Sequence, residues 1–234
     1  MIKTRKEKYE GFSMVEMLIT IAIMGTVMII SSTVLSTLIR VSTVASDKIR
    51  ARNESEFVLE LLRRTIRNSD PSDVYIFRSN VAEGMGQART YDPENYVVKG
   101  DIDESVYANS LAEGEVGNEI QFRPYGFANW LCLGFFKDIN DEEKGYILWT
   151  SGDDLRDNHE SCFADTPSSY LMLLNSDYIN ITDFSISYMK SADGNYIITF
   201  DIVSEPMHWY LGPKATIDRE VHRRGVVSTE GIVW

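Results

Sequence analysis

The sequence is poor in the residues that catalytic and metal sites need. Its three histidines, His159, His208 and His222, lie far apart, and none stands in an H-E-x-x-H or similar zinc spacing. No G-x-S-x-G elbow, P-loop or G-x-G-x-x-G is present. Ser187-Tyr-Met-Lys190 has the S-x-x-K spacing of penicillin-binding enzymes, but it falls in a predicted strand and lacks S-D-N and K-T-G partners. Enzyme activity has no positive support, and no cofactor or metal is implied. Basic charge is scarce too: 23 Lys and Arg face 35 Asp and Glu, a net −12. Nucleic-acid affinity comes from neutralising phosphates, so this balance argues against a general polyanion binder. Two local basic clusters, Arg63/Arg64/Arg67 and Arg219/His222/Arg223/Arg224, read as solvated faces with acidic neighbours. A DNA-uptake role would have to rest on the second. No internal repeat is evident.

Proline is missing from Phe12 to Asp70, and ionisable side chains are missing from residues 17 to 39. The second gap is a run of 23 uncharged residues with one glycine, Gly25, and seven hydroxyls: Thr20, Thr26, Ser31, Ser32, Thr33, Ser36 and Thr37. As a helix it would reach roughly 34 Å, enough for a bilayer core of about 30 Å. The run is too long for a secretory h-region, and no A-x-A-like site follows it. Lys3, Arg5, Lys6 and Lys8, against Glu7 and Glu10, place the short N-terminal flank in the cytoplasm and everything after Arg40 outside.

A single carboxylate, Glu16, stands at the head of this run, five positions after the Gly11-Phe12 junction. A charge in lipid costs roughly 2.5–3.5 kcal/mol on insertion scales, so a plain anchor has no use for it. The stretch GFSMVEMLITIAIMGTVM resembles the N-terminal signature of type IV prepilins and of the pseudopilins of type II secretion systems. The resemblance covers about 30 residues and implies a dedicated prepilin peptidase that cuts after Gly11 and methylates Phe12. It further implies residues 1–11 as leader, Glu16 as the glutamate at mature position five, and assembly with other pilin or pseudopilin subunits through an inner-membrane platform. Glu10 departs from the pattern, which has Lys or Arg before the glycine. Cleavage would create an ammonium near Glu16, and one subunit's carboxylate could neutralise a neighbour's amine. Such a pair is a weak stabiliser but a good register device.

Removing the leader leaves 223 of the 234 residues, with 19 basic and 33 acidic side chains. We expect residues 12–39 to be the membrane or fibre-core half of one helix and 40–68 its exposed half. Residues 69–234 form a β-rich head, giving an α+β fold with the helix packed on an antiparallel sheet. The apolar stripe Leu38, Val41, Ala45, Ile49, Val58, Leu61, Leu62 and Ile66 carries the helix past the membrane until Asn68-Ser-Asp-Pro71 breaks it. Strands are expected at 73–77, 96–98, 119–123, 130–136, 145–150, 170–174, 184–190, 196–203 and about 214–221, with 79–119 mostly a surface excursion. Cys132, in the apolar WLCLGFF run, and Cys162, in a polar loop, either pair outside the membrane or leave Cys132 a buried thiol. The acidic run from Asp138 to Glu143 begins like an EF-hand, but Glu143 takes the glycine position and Trp149 the twelfth. With Asp153, Asp154 and Asp157 it reads as solvated surface rather than a calcium site. The length and large head suit a minor pilin or pseudopilin. A single-pass anchored binding domain is the alternative.

Overall fold

One uninterrupted helix, α1 (Met14–Arg67), accounts for the proline-free N-terminal quarter. A computed structural model of the chain describes residues 11, 13–78, 89–99, 110–152, 163, 171–207 and 220–229. It divides into two units, Met1–Ala45 and Ser46–Trp234. In the first, every large apolar side chain from Met14 to Val41 is exposed, between 53 and 85 %.

In the second unit α1 has an inward face. Asp47, Ala51, Ser55, Val58, Leu59, Leu62 and Ile66 are buried there, at the three- and four-residue steps of a helix stripe. Val58, Leu62 and Ile66 meet the sequence expectation. Ile49 does not: it is 59 % exposed, and Ala51 and Ser55 take the inward positions instead. The nine-residue step from Ile49 to Val58 turns a helix through half a revolution, so the two cannot share a face. Ser55 is satisfied by a 3.0 Å hydrogen bond with Ser204 and by the Ala51 carbonyl at 2.9 Å.

Among the described residues ten strands follow: β1 (Ser69–Phe77), β2 (Thr90–Asp92), β3 (Val97–Lys99), β4 (Glu119–Pro124), β5 (Trp130–Asp138), β6 (Gly145–Gly152), β7 (Met172–Leu173), β8 (Ile179–Lys190), β9 (Tyr196–Pro206) and β10 (Val221–Ser228). They form two sheets rather than one. The larger runs β1-β4-β5-β2-β3, with β6 on β5 and β7 on β6; the smaller is β10-β9-β8. All ladders are antiparallel except the short parallel pairing of β2 with the end of β5. The strand expected at about 214–221 begins in fact at Val221, its earlier residues lying outside those described.

Strand β5 explains the WLCLGFF run. Leu131, Leu133 and Phe135 face one core with α1 and the small sheet, while Trp130, Cys132 and Phe136 face a second with Tyr91, Tyr146, Leu148 and Phe163. A strand covered on both faces reads as continuous apolar sequence, not as alternation. Two close approaches join the sheets. Gly117 exchanges both backbone hydrogen bonds with Ile186 of β8 at 2.8 Å, while the next residue's N–H reaches the Phe77 carbonyl of β1. A Cβ on Gly117 would lie 2.4 Å from that carbonyl oxygen, so only glycine fits. Farther along, the Asn180 side chain accepts the Gly145 N–H at 2.8 Å, and Asn175 accepts that of Ile147 at 2.9 Å.

Candidate functional site

The start of α1 is closed by its own side chains. Ser13 is the N-cap: its carbonyl takes the first helical N–H, from Met17, at 3.1 Å. Its Oγ accepts the Val15 N–H at 3.2 Å and the Glu16 N–H at 3.4 Å. In return the Ser13 N–H donates to Glu16 Oε2 at 3.0 Å. This is a capping box, and the S-x-x-E spacing ahead of an apolar run is its sequence signal. Sequence reasoning treated Glu16 as a lone charge and missed this local partner. Gly11 sits just upstream in open space, with nothing within 4 Å of where a Cβ would be. The fold does not require a glycine there. Phe12 lies outside the described residues.

Past Glu16 the helix is long and apolar enough to cross a membrane, with a mean hydropathy of 2.2 in its best window. Its threonines turn inward on the backbone. Thr20, Thr26, Thr33 and Thr37 donate to carbonyls three or four residues back at 2.8–2.9 Å. A hydroxyl satisfied in this way presents no unmet donor to lipid.

Residues 8–32 match the family model for the prokaryotic N-terminal methylation motif. The chain carries a prepilin-type signature. Together with one exposed apolar N-terminal helix, the signature fits a membrane-anchored type IV pilin-like or pseudopilin subunit. It points to a structural subunit, and in general implies other pilin subunits and a prepilin peptidase as partners. No curated protein and no solved structure matches the chain.

The other candidates are dispersed. Arg63 and Arg64 are engaged with glutamates of their own helix, Glu56 and Glu60. On β10, His222 and Arg224 point to one face and Arg223 to the other, since alternate strand residues do. His222 contacts Glu220 at 3.3 Å and Arg224 contacts Asp201 at 3.4 Å, while Arg219 lies outside the described residues. Among the described residues these side chains form no single basic surface. Ser187 and Lys190 sit in β8, where a three-residue step puts them on opposite faces. His159, His208, Asp153, Asp154, Asp157 and Cys162 also lie outside the described residues.

The Asp138 carboxylate accepts the Tyr146 hydroxyl at 3.1 Å and the Asn140 N–H at 2.8 Å. Among the described residues no three His, Cys, Asp or Glu side chains gather to hold a metal. Burial first, then the Asp138 charge, pushes the Tyr146 phenol up, and burial lifts Tyr91 to about 12. Neither ionises near neutral pH. Asp92 is drawn down to about 2 by Lys99 and Asn95, the two side chains bonded to it.

Two buried groups had no sequence signal. Arg89 and Glu119 form an ion pair at 3.3 Å with 2 % and 0 % of their side chains exposed, the guanidinium lying over Phe136 and Phe163. Cys132 is disulfide-bonded, and the chain has one other cysteine.

Proposed function

We propose that the protein is a minor pilin or pseudopilin subunit, cut between Gly11 and Phe12, N-methylated on Phe12, and assembled through α1 into a type IV pilus or a type II secretion pseudopilus. The observation that carries this reading is the coincidence of the methylation motif with a helix whose apolar side chains all stay exposed up to Val41. Exposed surface of that extent needs lipid first and other subunits later. The basic flank keeps the leader cytoplasmic, where the peptidase and the inner-membrane assembly platform meet it, and the head lies outside. The open surroundings of Gly11 support a recognition role for that residue, because the fold itself would tolerate any side chain there.

In the fibre, Glu16 neutralises the Phe12 amine of a neighbouring subunit and so sets register. Cys132 pairs with Cys162, a bond that fits an oxidising compartment outside the membrane and not the cytosol. The deciding experiment is mass analysis of the N-terminus of membrane-extracted protein. A methylated Phe12 start is expected, and an intact Met1 start would refute the reading. Glu16→Ala should still be processed but enter fibres poorly; normal incorporation removes the role given to Glu16.

A further inference from the structure

Strand β1 leaves its ladder just after the helix ends. It advances from Ser69 to Val74 while its partner β4 advances only from Pro124 to Phe122, so residues 70 to 73 bulge out of the sheet. Pro71 has no N–H to give to a ladder, and the Asp70 carboxylate closes the bulge instead. Its Oδ1 accepts the Ser72 N–H at 2.9 Å and the Ser72 hydroxyl at 2.7 Å. Facing the bulge, the turn between β4 and β5 carries Tyr125 and Phe127 around Gly126, whose φ is 80°. The Tyr125 N–H ties this turn to the end of the helix through the Asn68 carbonyl at 2.8 Å. Between bulge and turn lies a cavity of about 450 Å³, lined by Asp70, Ser72, Asp73, Arg123, Tyr125 and Phe127 among others. That volume suits a small ligand or a single long side chain.

The charges of the lining do not balance. Arg123 forks onto Asp73, with both bonds on Oδ2 at 3.0 and 2.5 Å, and these two charges cancel. Asp70 is left over: the Tyr125 hydroxyl reaches its Oδ2 at 3.2 Å, but no cation pairs with it among the described residues. The Ser72 N–H, then the Ser72 hydroxyl, hold the Asp70 carboxyl below its ordinary range, so it is charged at neutral pH. On the rim Phe127 is 60 % and Tyr125 36 % exposed. An ionised carboxylate beside exposed aromatic rings attracts a cation through both the charge and the ring faces. We propose that this cavity receives an arginine side chain of a partner protein. A guanidinium is planar and weakly hydrated, and it can bond two carboxylate oxygens while lying on an aromatic face; a lysine ammonium has no such plane. Asp70 Oδ2 and Asp73 Oδ1 supply the oxygens, since Asp73 Oδ1 takes no hydrogen bond among the described residues. A chain of net charge −12 favours a basic partner in the same sense. The cavity belongs to the head, so the proposal stands apart from N-terminal processing.

The test uses the full chain in neutral detergent micelles and two probes, the peptides Gly-Arg-Gly and Gly-citrulline-Gly. Citrulline has the shape of arginine without its charge. Saturation-transfer NMR over a concentration series reads the affinity of each. Gly-Arg-Gly should bind about tenfold more tightly than the citrulline peptide, and Asp70→Asn should lose that advantage. Asparagine keeps an oxygen for Ser72, so the substitution removes the charge and not the bulge. Phe127→Ala, at an exposed ring, should weaken Gly-Arg-Gly about threefold, and it decides the matter should Asp70→Asn fail to fold. Equal affinity for the two peptides, wild-type affinity in both variants, or no transfer to either peptide overturns the proposal. So does transfer to a neutral disaccharide, trehalose, that outcompetes Gly-Arg-Gly, because the cavity would then be a sugar site.

Discussion

Both halves of α1 carry large apolar side chains, and those side chains live in opposite circumstances. From Met14 to Val41 the large apolar side chains are all exposed; from Ala51 to Ile66 the inward ones are at most 1 % exposed. A head that fills its own core shows nothing of what it touches. An apolar helix with no core of its own implies that lipid or protein must cover it. The function is therefore readable where the fold is least complete, and the well-packed head gives an architecture without a ligand.

That contrast can be broken most forcefully in the head. Leu62→Ala should lower unfolding stability by about 2–5 kcal/mol, as buried leucine deletions do. Leu35→Ala, on the exposed half, should change it by less than about 0.5 kcal/mol. Denaturant unfolding of the full chain in detergent compares the two directly, and equal losses would mean that residues near 35 belong to a folded core. Next in size, reduction of the disulfide, or Cys132→Ser compared with the wild type under non-reducing conditions, should cost about 2–4 kcal/mol, read as a lower denaturation midpoint. Ile30→Asp should do the reverse of Leu62→Ala: the membrane-bound fraction falls, by roughly 2.5–3.5 kcal/mol of insertion free energy, while the midpoint for the head stays put.

Smaller effects sharpen the picture at the surface. The depressed Asp92 carboxyl contributes stability at pH values above its ordinary 3.8, and that contribution fades as pH falls through about 2. Lys99→Met should raise the Asp92 titration toward 3.8 in carbon-detected NMR and shrink the acid-side loss of stability with it, because a carboxyl with its ordinary pKa contributes none. Arg64→Ala, which breaks an exposed pair with Glu60, should leave the midpoint unchanged.

Much of this was legible in the chain. The helix could be read because periodicity and the lack of proline act over more than fifty residues, and its end because Asn68 to Pro71 is a dense breaker. Strands β4, β5, β6 and β9 stood out as apolar runs bounded by turns. Strand β2 was missed because Thr90-Tyr-Asp92 is too short to show alternation, and its parallel partner lies more than forty residues away. The burial of Asp47 and Ser55 on the inward face, and of Arg89 with Glu119, depends on partners that only the tertiary structure supplies. The capping box is a different kind of omission. Ser13-x-x-Glu16 was plainly visible, but attention to Glu16 as a charge in lipid hid its ordinary use as a helix cap.

The inward-turned threonines carry one more consequence. Where Thr20, Thr26, Thr33 and Thr37 already bond the helix's own carbonyls, its surface offers neighbours little directional preference. Such a rod can slide and rotate against another nearly freely, because dispersion and area burial favour many alignments about equally. Choosing one alignment among them then falls to the few groups that do have direction, and between residues 13 and 39 Glu16 is the only one that carries a charge. The smoothness of the rod is what allows one carboxylate to act as its index mark.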